Sequence, residues 1–208
     1  MTKKTINVPI LARVEGEGAL DLEIDQGKIK SLALRIYEPP RYFEKFLEGR
    51  EYNDVIDIVA RICGICPIAY QMSAAHAIEQ AFQLKPSAWV REMRRLIYCG
   101  EWLQSHSLHV HLLAAPDFLG FKSAIEMAKK YPDTVKRGLR LQELGNKMIR
   151  LLGKRSVNPV GNCVGGFYRA PSLAEMKTLL DLLKGHLQEA IEMAKWVGSI
   201  NFPKFSQD

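Results

Sequence analysis

The chain has few cysteines and no cysteine framework. Cys63, Cys66, Cys99 and Cys163 make one close pair and two isolated residues. A disulfide-stapled secreted scaffold is thereby excluded, and a reducing compartment is expected. The close pair also lacks the second Cys or His pair that closes a structural zinc site. No apolar run nears the ~20 residues that span a bilayer, and there is no secretory signal pattern. The expectation is no direct membrane span and a cytoplasmic location. Internal repeats and low-complexity segments are missing as well. Charge of one sign does not gather: 29 basic and 23 acidic residues leave a net charge of +6, but they are dispersed. Arg91, Arg94 and Arg95 form the densest group, without interleaved aromatics, so no nucleic acid is expected as a partner. A solvated helix face or an acidic protein partner fits this charge better.

What is present is an ordinary globular balance over 208 residues, with 47% hydrophobic and 25% charged. The distinctive stretch is Arg61-Ile62-Cys63-Gly64-Ile65-Cys66-Pro67. Upstream, Val55, Ile56, Ile58 and Val59 recur at helical spacing. Downstream, Ile68, Met72, Ala75, Ile78, Ala81 and Phe82 do the same. The pair is predicted on a tight bend between two apolar-faced helices. Pro67 suits the first position of the second helix, where a missing N–H costs nothing. Cys66 would then stand at a helix N-terminus, where unpaired amides and the helix dipole favour a thiolate. Metal binding, dithiol redox chemistry and buried structural thiols all stay open at this point. A redox motif would follow a strand in a β-α-β context, which this stretch lacks.

Residues 5–37 read as β. Leu20, Leu22 and Ile24 alternate with acidic residues, Asp25-Gln26-Gly27-Lys28 makes the turn, and Leu32, Leu34 and Ile36 return. This predicts a hairpin with one buried face and a bulge near Lys30-Ser31. Pro39-Pro40 ends the sheet. Before the hairpin, Arg13-Val14-Glu15-Gly16-Glu17-Gly18 reads either as a polar loop or as a carboxylate held for proton transfer. From residue 41 onward the chain reads as helical. Helices are expected over 41–47, 51–60, 68–84 and from Pro86-Ser87 to about Leu113, the last roughly 42 Å long. Pro116 and Gly120 are expected to terminate it. Further helices cover 122–130 and 133–152, with Asp133 as N-cap. Residues 153–171 read as irregular, and the capping box Ser172-Leu173-Ala174-Glu175 starts a helix to about Gly198 whose Met and Leu positions are assigned to the core. The fold class is α+β, mainly helical: a small N-terminal antiparallel sheet over 1–40, then a helical bundle over 41–208. His106 and His109 share a helix face and read as a packed pair, and Asp117 reads as a turn residue.

Taken together, these stretches resemble the N-terminal half of the large subunit of a nickel–iron hydrogenase. Arg13-Val14-Glu15-Gly16 resembles the family's R-[IV]-E-G. Arg41-Tyr42-Phe43-Glu44 with Gly49-Arg50 resembles its R-G-F-E…G-R, and Arg61 to Cys66 resembles its R-x-C-G-x-C. His106, His109 and Asp117 resemble a histidine–aspartate segment. Asn158-Pro159-Val160 with Gly165-Gly166 resembles an H-P-V…G-G motif. The resemblance implies reversible heterolytic H2 cleavage at nickel and an iron that carries CO and cyanide. Cys63 would be a terminal nickel ligand and Cys66 a nickel–iron bridge. Glu15 would carry protons, Asp117 would stand in a polar canopy over the metals, and Glu44 would help hold magnesium or iron elsewhere. Electrons would leave through an iron–sulfur small subunit.

The sequence also departs from the family. Tyr70 and Asn158 replace two family histidines, and His76 lies too far on to substitute. The family's second C-x-x-C belongs to a C-terminal half that is not represented here. Two thiolates cannot complete a four-thiolate site, so the chain reads as a fragment, as one half of a split subunit, or as a degenerate relative. Two alternatives compete: a non-catalytic subunit of a larger redox complex, and a small metal-binding or thiol-redox module. The C-G-I-C-P form leans towards a cytoplasmic multi-subunit type.

Overall fold

The structure is a computed structural model that describes residues 3–204 apart from residue 13. It is α+β and mainly helical. By backbone contacts it divides into two compact units, split between Tyr42 and Phe43.

The first unit is a three-stranded antiparallel sheet in the order β1 (Lys4–Val8), β2 (Gly18–Asp25), β3 (Lys28–Ile36). Gln26 and Gly27 both have positive φ, 51° and 78°, the conformation a tight two-residue hairpin needs. Glu23 pairs with Ser31 while Ile24 pairs with Ile29, so Lys30 is the extra residue of the expected bulge. The expected buried face is only half formed. Leu20, Leu22 and Ile24 are partly buried, but Leu32, Leu34 and Ile36 on β3 are exposed.

The second unit begins with α1 (Phe43–Leu47) and α2 (Tyr52–Val59), followed by α3 (Pro67–Ala81) and α4 (Ala88–Leu108). After α4 the helix does not stop. It widens into a π turn, His109–Ala114, and runs on as α5 (Ala115–Phe118). Pro116 therefore lies inside the helical rod instead of ending it. A proline in an α-helix interior collides with a carbonyl one turn back, and a π widening just before it relieves that clash. Gly120, at φ 78°, makes the stop. Next come α6 (Ala124–Lys130) and α7 (Pro132–Gly153), where Tyr131 is the N-cap and Asp133 lies within the first turn.

The segment after α7 folds back as a small hairpin, β4 (Asn162–Cys163) and β5 (Gly166–Phe167). Val160 N–H donates to Gly153 O at 3.0 Å. A Cβ on Gly161 would lie 1.8 Å from Leu152 O, so only glycine permits this return. The final helix, α8 (Leu173–Gly198), starts at the expected capping box: Ser172 Oγ accepts from Glu175 N–H at 3.2 Å, and Glu175 accepts from Ser172 N–H at 2.7 Å. Most of its leucines are not core. Leu179 alone is buried among the described residues of α8, while Leu173 is 72% and Leu187 60% exposed. The core instead centres on Ile68, Met72, Ile97, Ile149 and Leu152, where α3, α4 and α7 meet.

Candidate functional site

The cysteine pair occupies the bend between α2 and α3. The last turn of α2 tightens as Arg61 N–H donates to Ile58 O and Ile62 N–H to Val59 O, at 3.0 and 3.1 Å. Cys66 is the N-cap of α3 and Pro67 its first residue. Cys63 is buried and Cys66 half-buried. Their sulfurs are joined as a disulfide, with the Cα atoms 5.5 Å apart. The thiolates expected from the sequence thus belong to the reduced form of this pair.

The amides at this helix end are shared out differently from the sequence expectation. Pro67 has no N–H. Cys66 N–H donates to Cys63 Sγ at 3.1 Å, so the sulfur that receives an amide is Cys63 and not Cys66. Ile68 and Ala69 N–H both donate to Glu101, at 2.7 and 3.2 Å. Glu101 comes from α4 and is 3% exposed. Burial pushes its carboxyl up to about 7, against the pull of the two amide bonds.

A second buried carboxylate, Glu79, lies at the other end of α3. Arg94 grips it with two hydrogen bonds of 2.8 and 2.5 Å, and Gly165 N–H adds a third at 2.7 Å. Burial alone would raise this carboxyl. The hydrogen bonds from Arg94 and Gly165 outweigh it and hold Glu79 below its ordinary value. Between the two carboxylates, Gln71 donates to Pro159 O at 2.7 Å and accepts from Asn162 at 2.5 Å. These polar contacts tie α3 to α4 and to the segment after α7.

Whether the turn suits a metal follows from its donors. Two adjacent sulfurs are soft ligands of the kind nickel and iron accept. Space is open beside Gly64, where an added Cβ would meet no atom within 4 Å. Among the described residues, no group of three or more His, Cys, Asp or Glu gathers. The donors present fit half of a four-thiolate shell and not a whole one.

The other sequence candidates are scattered. Glu15 is in the first unit, on the exposed loop between β1 and β2, and lines a shallow cleft of about 260 Å³ with Glu38. Gly16, at φ 89°, packs against that Glu38 carboxylate. Arg13 of the same motif lies outside the described residues. Glu44 is exposed on α1. Asp117 is exposed in α5, not in a turn. From Glu101, which touches the start of α3, to Asp117 the helical rod runs on the order of 24 Å at about 1.5 Å per residue. Asp117 is therefore not brought to the cysteine turn. His106 and His109 are exposed, contrary to the packed pair expected from their spacing. The buried histidine is His111 in the π turn, stacked on Trp196, with Nδ1 at 3.0 Å from Ser107 O. Burial lowers its pKa. Asn158, at φ 45°, occupies a left-handed conformation that asparagine tolerates.

Sequence reasoning missed Glu101, Glu79 and Arg94. The available signal was a charge in register with an apolar stripe: Arg94 and Glu101 lie three before and four after the buried Ile97.

Comparison with known proteins gives a consistent result. The family described as nickel-dependent hydrogenase matches residues 41–141. The chain is 36% identical over 195 residues to the alpha subunit of sulfhydrogenase 2 of Pyrococcus furiosus, covering 94% of this chain and 46% of that one. It is 33% identical to a subunit of the vhu F420-non-reducing hydrogenase of Methanocaldococcus jannaschii, covering 89% and 45%. Among solved structures, an NAD+-reducing [NiFe]-hydrogenase in the H2-reduced state superposes with a TM-score of 0.84 at 27% identity, over 94% of this chain and 45% of that one. The chain spans about half the length of the curated relatives it matches.

Proposed function

Because the chain belongs to the nickel-dependent hydrogenases, matching the N-terminal half of their large subunit, we propose that it contributes half of a nickel–iron active site for reversible heterolytic cleavage of H2. The observation that carries this reading is the sulfur pair on the turn between α2 and α3. In the reduced form of the pair, loss of the two thiol protons gives the ligands. Cys63 would bind nickel terminally and Cys66 would bridge to an iron with CO and cyanide. When bound, that group supplies the Lewis acidity for splitting H2. With the group in place, a cysteine sulfur of the turn would be the first proton acceptor, and Glu15 would be a later proton carrier. Glu44 would hold a magnesium or iron ion away from the site. The canopy role of Asp117 loses support from its distance along the helical rod.

A second pair of thiolates must come from protein corresponding to the other half of the relatives. Electrons leave through an iron–sulfur small subunit. The exposed leucines of α8 support a further protein layer in such an assembly. Among the described residues no helix is long and apolar enough to cross a membrane. The cytoplasmic placement rests on four cysteines without a disulfide framework and on the C-G-I-C-P form of the turn.

The bonded sulfurs favour a second reading, a dithiol redox module. One experiment separates the two. The complete assembly, purified without oxygen, should contain nickel and iron and show infrared bands from metal-bound CO and cyanide. Cys63→Ser should abolish the bands and H2 turnover. An assembly with neither metal nor bands overturns the hydrogenase reading and leaves the redox module.

A further inference from the structure

The open end of α3 is closed by a residue from another helix. Its N-cap, Cys66, makes no side-chain cap, and Pro67 offers no donor. The two remaining amides of the first turn, on buried Ile68 and half-buried Ala69, would otherwise be orphans. Glu101 takes both, at 2.7 and 3.2 Å, from 33 and 32 residues away. The same turn holds the Cys66 N–H that donates to Cys63 Sγ at 3.1 Å. Any shift of the first turn of α3 therefore moves Cys66 directly and Cys63 through that bond.

We propose that Glu101 is the positioning residue of the cysteine turn: its carboxylate, fixed on α4, sets where the two sulfurs stand by holding the first turn of α3. Glu79 is the natural control. It too is a buried carboxylate that ties α3 to α4, through Arg94, but it lies at the far end of α3, on the order of 20 Å from Cys66 at about 1.5 Å per residue. The inference rests on the proposed function only in treating this turn as the working element. Its test needs no H2 chemistry, so lack of turnover would count against that function and not against this role.

The full chain is equilibrated with mixtures of reduced and oxidised dithiothreitol, and amide hydrogen exchange is followed at Ile68 and Ala69. In the unmodified protein both amides should be protected at least tenfold beyond Gly64. Glu101→Gln keeps the shape and one acceptor oxygen. It should cost one of the two amides its protection and weaken disulfide formation about tenfold, or about 30 mV for this two-electron couple. Glu101→Asp, which keeps the carboxylate, should recover part of that shift. Glu79→Gln should destabilise the fold yet leave the thiol–disulfide equilibrium within twofold. Equal shifts from Glu101→Gln and Glu79→Gln would overturn the proposal by showing only general loosening. So would Ile68 and Ala69 amides that exchange as fast as Gly64 in the unmodified protein, a result that decides the matter even if a variant fails to fold.

Discussion

The helices α4 and α8 are both long and amphipathic, yet they treat polarity in opposite ways. The buried face of α4 includes Arg94, Glu101, Gln104 and Ser107. α8 leaves Leu173, Leu180, Leu187 and Ile191 exposed. Each buried charge on α4 has a named partner outside α4: Arg94 holds Glu79, and Glu101 holds the start of α3. α4 also lies so close to α7 that a Cβ on Gly145 would stand 2.5 Å from Gln104 N. α4 is thus a hub that spends polar groups on fixing other segments. α8 is held to α7 along one side, through the Arg140–Glu189 pair and the burial of Leu179, and keeps a second apolar stripe uncovered. Apolar periodicity tells which face a helix prefers to hide. Whether anything hides it depends on atoms elsewhere.

The sharpest way to break this comparison is at Arg94. Arg94→Met leaves the Glu79 carboxylate buried without its cation, and loss of one member of a buried pair costs about 3–5 kcal/mol. The urea unfolding midpoint should fall accordingly. Hydrogen exchange at Gly165, whose N–H also bonds Glu79, should quicken. If stability drops by less than about 1 kcal/mol, α4 is not the hub described, because surface ion pairs already contribute that much.

Much of the local structure is legible in the sequence because its causes are local. Gln26-Gly27 can take positive φ, so the hairpin turn is readable. Ser172 and Glu175 satisfy each other's amides within four residues, and Pro67 has one good place in a helix. The cysteine pair is readable as a turn for the same reason. What stays hidden is long-range. Glu101 meets Ile68 across 33 residues of sequence, and nothing near either residue announces the other. Without that contact the amides of α3 fall by default to Cys66. Pro116 reads as a stop because a π turn, which admits it, leaves no mark in apolar spacing. The leucines of α8 and β3 read as buried faces because their periodicity says nothing about a covering layer.

A smaller effect should appear with pH. The carboxyl of Glu101 titrates near 7 in the folded chain, above the ordinary 4.5. As pH rises from about 4.5 towards 7, the unfolded chain gives up a proton that the folded chain keeps, so folding is progressively disfavoured by this group. Glu79 acts with the opposite sign. Its folded value is lowered, so its stabilisation is present above 4.5 and is lost as pH falls through that lowered value. Unfolding of the unmodified protein and of Glu101→Gln, compared from pH 4.5 to 8, isolates the first contribution. The difference should move against the unmodified protein up to about pH 7 and then level off. A flat difference would mean that Glu101 ionises as a surface carboxylate does, which its burial on α4 forbids.

The smallest effect is expected on the other side of the comparison. Leu187 is 60% exposed on α8, so Leu187→Ser removes little that is hidden from water in this chain. Surface substitutions away from caps and buried groups usually change stability by no more than about 0.5 kcal/mol. The thermal midpoint of the chain alone should therefore hardly move. In an assembly where another protein layer covers the stripe, the same substitution buries a hydroxyl and opens a void, and core truncations of a leucine cost about 2–5 kcal/mol. The ratio of the two effects measures how completely α8 is covered. If Leu187→Ser already costs more than about 2 kcal/mol in the chain alone, then α8 is packed on both sides, and the contrast with α4 is one of composition and not of cover.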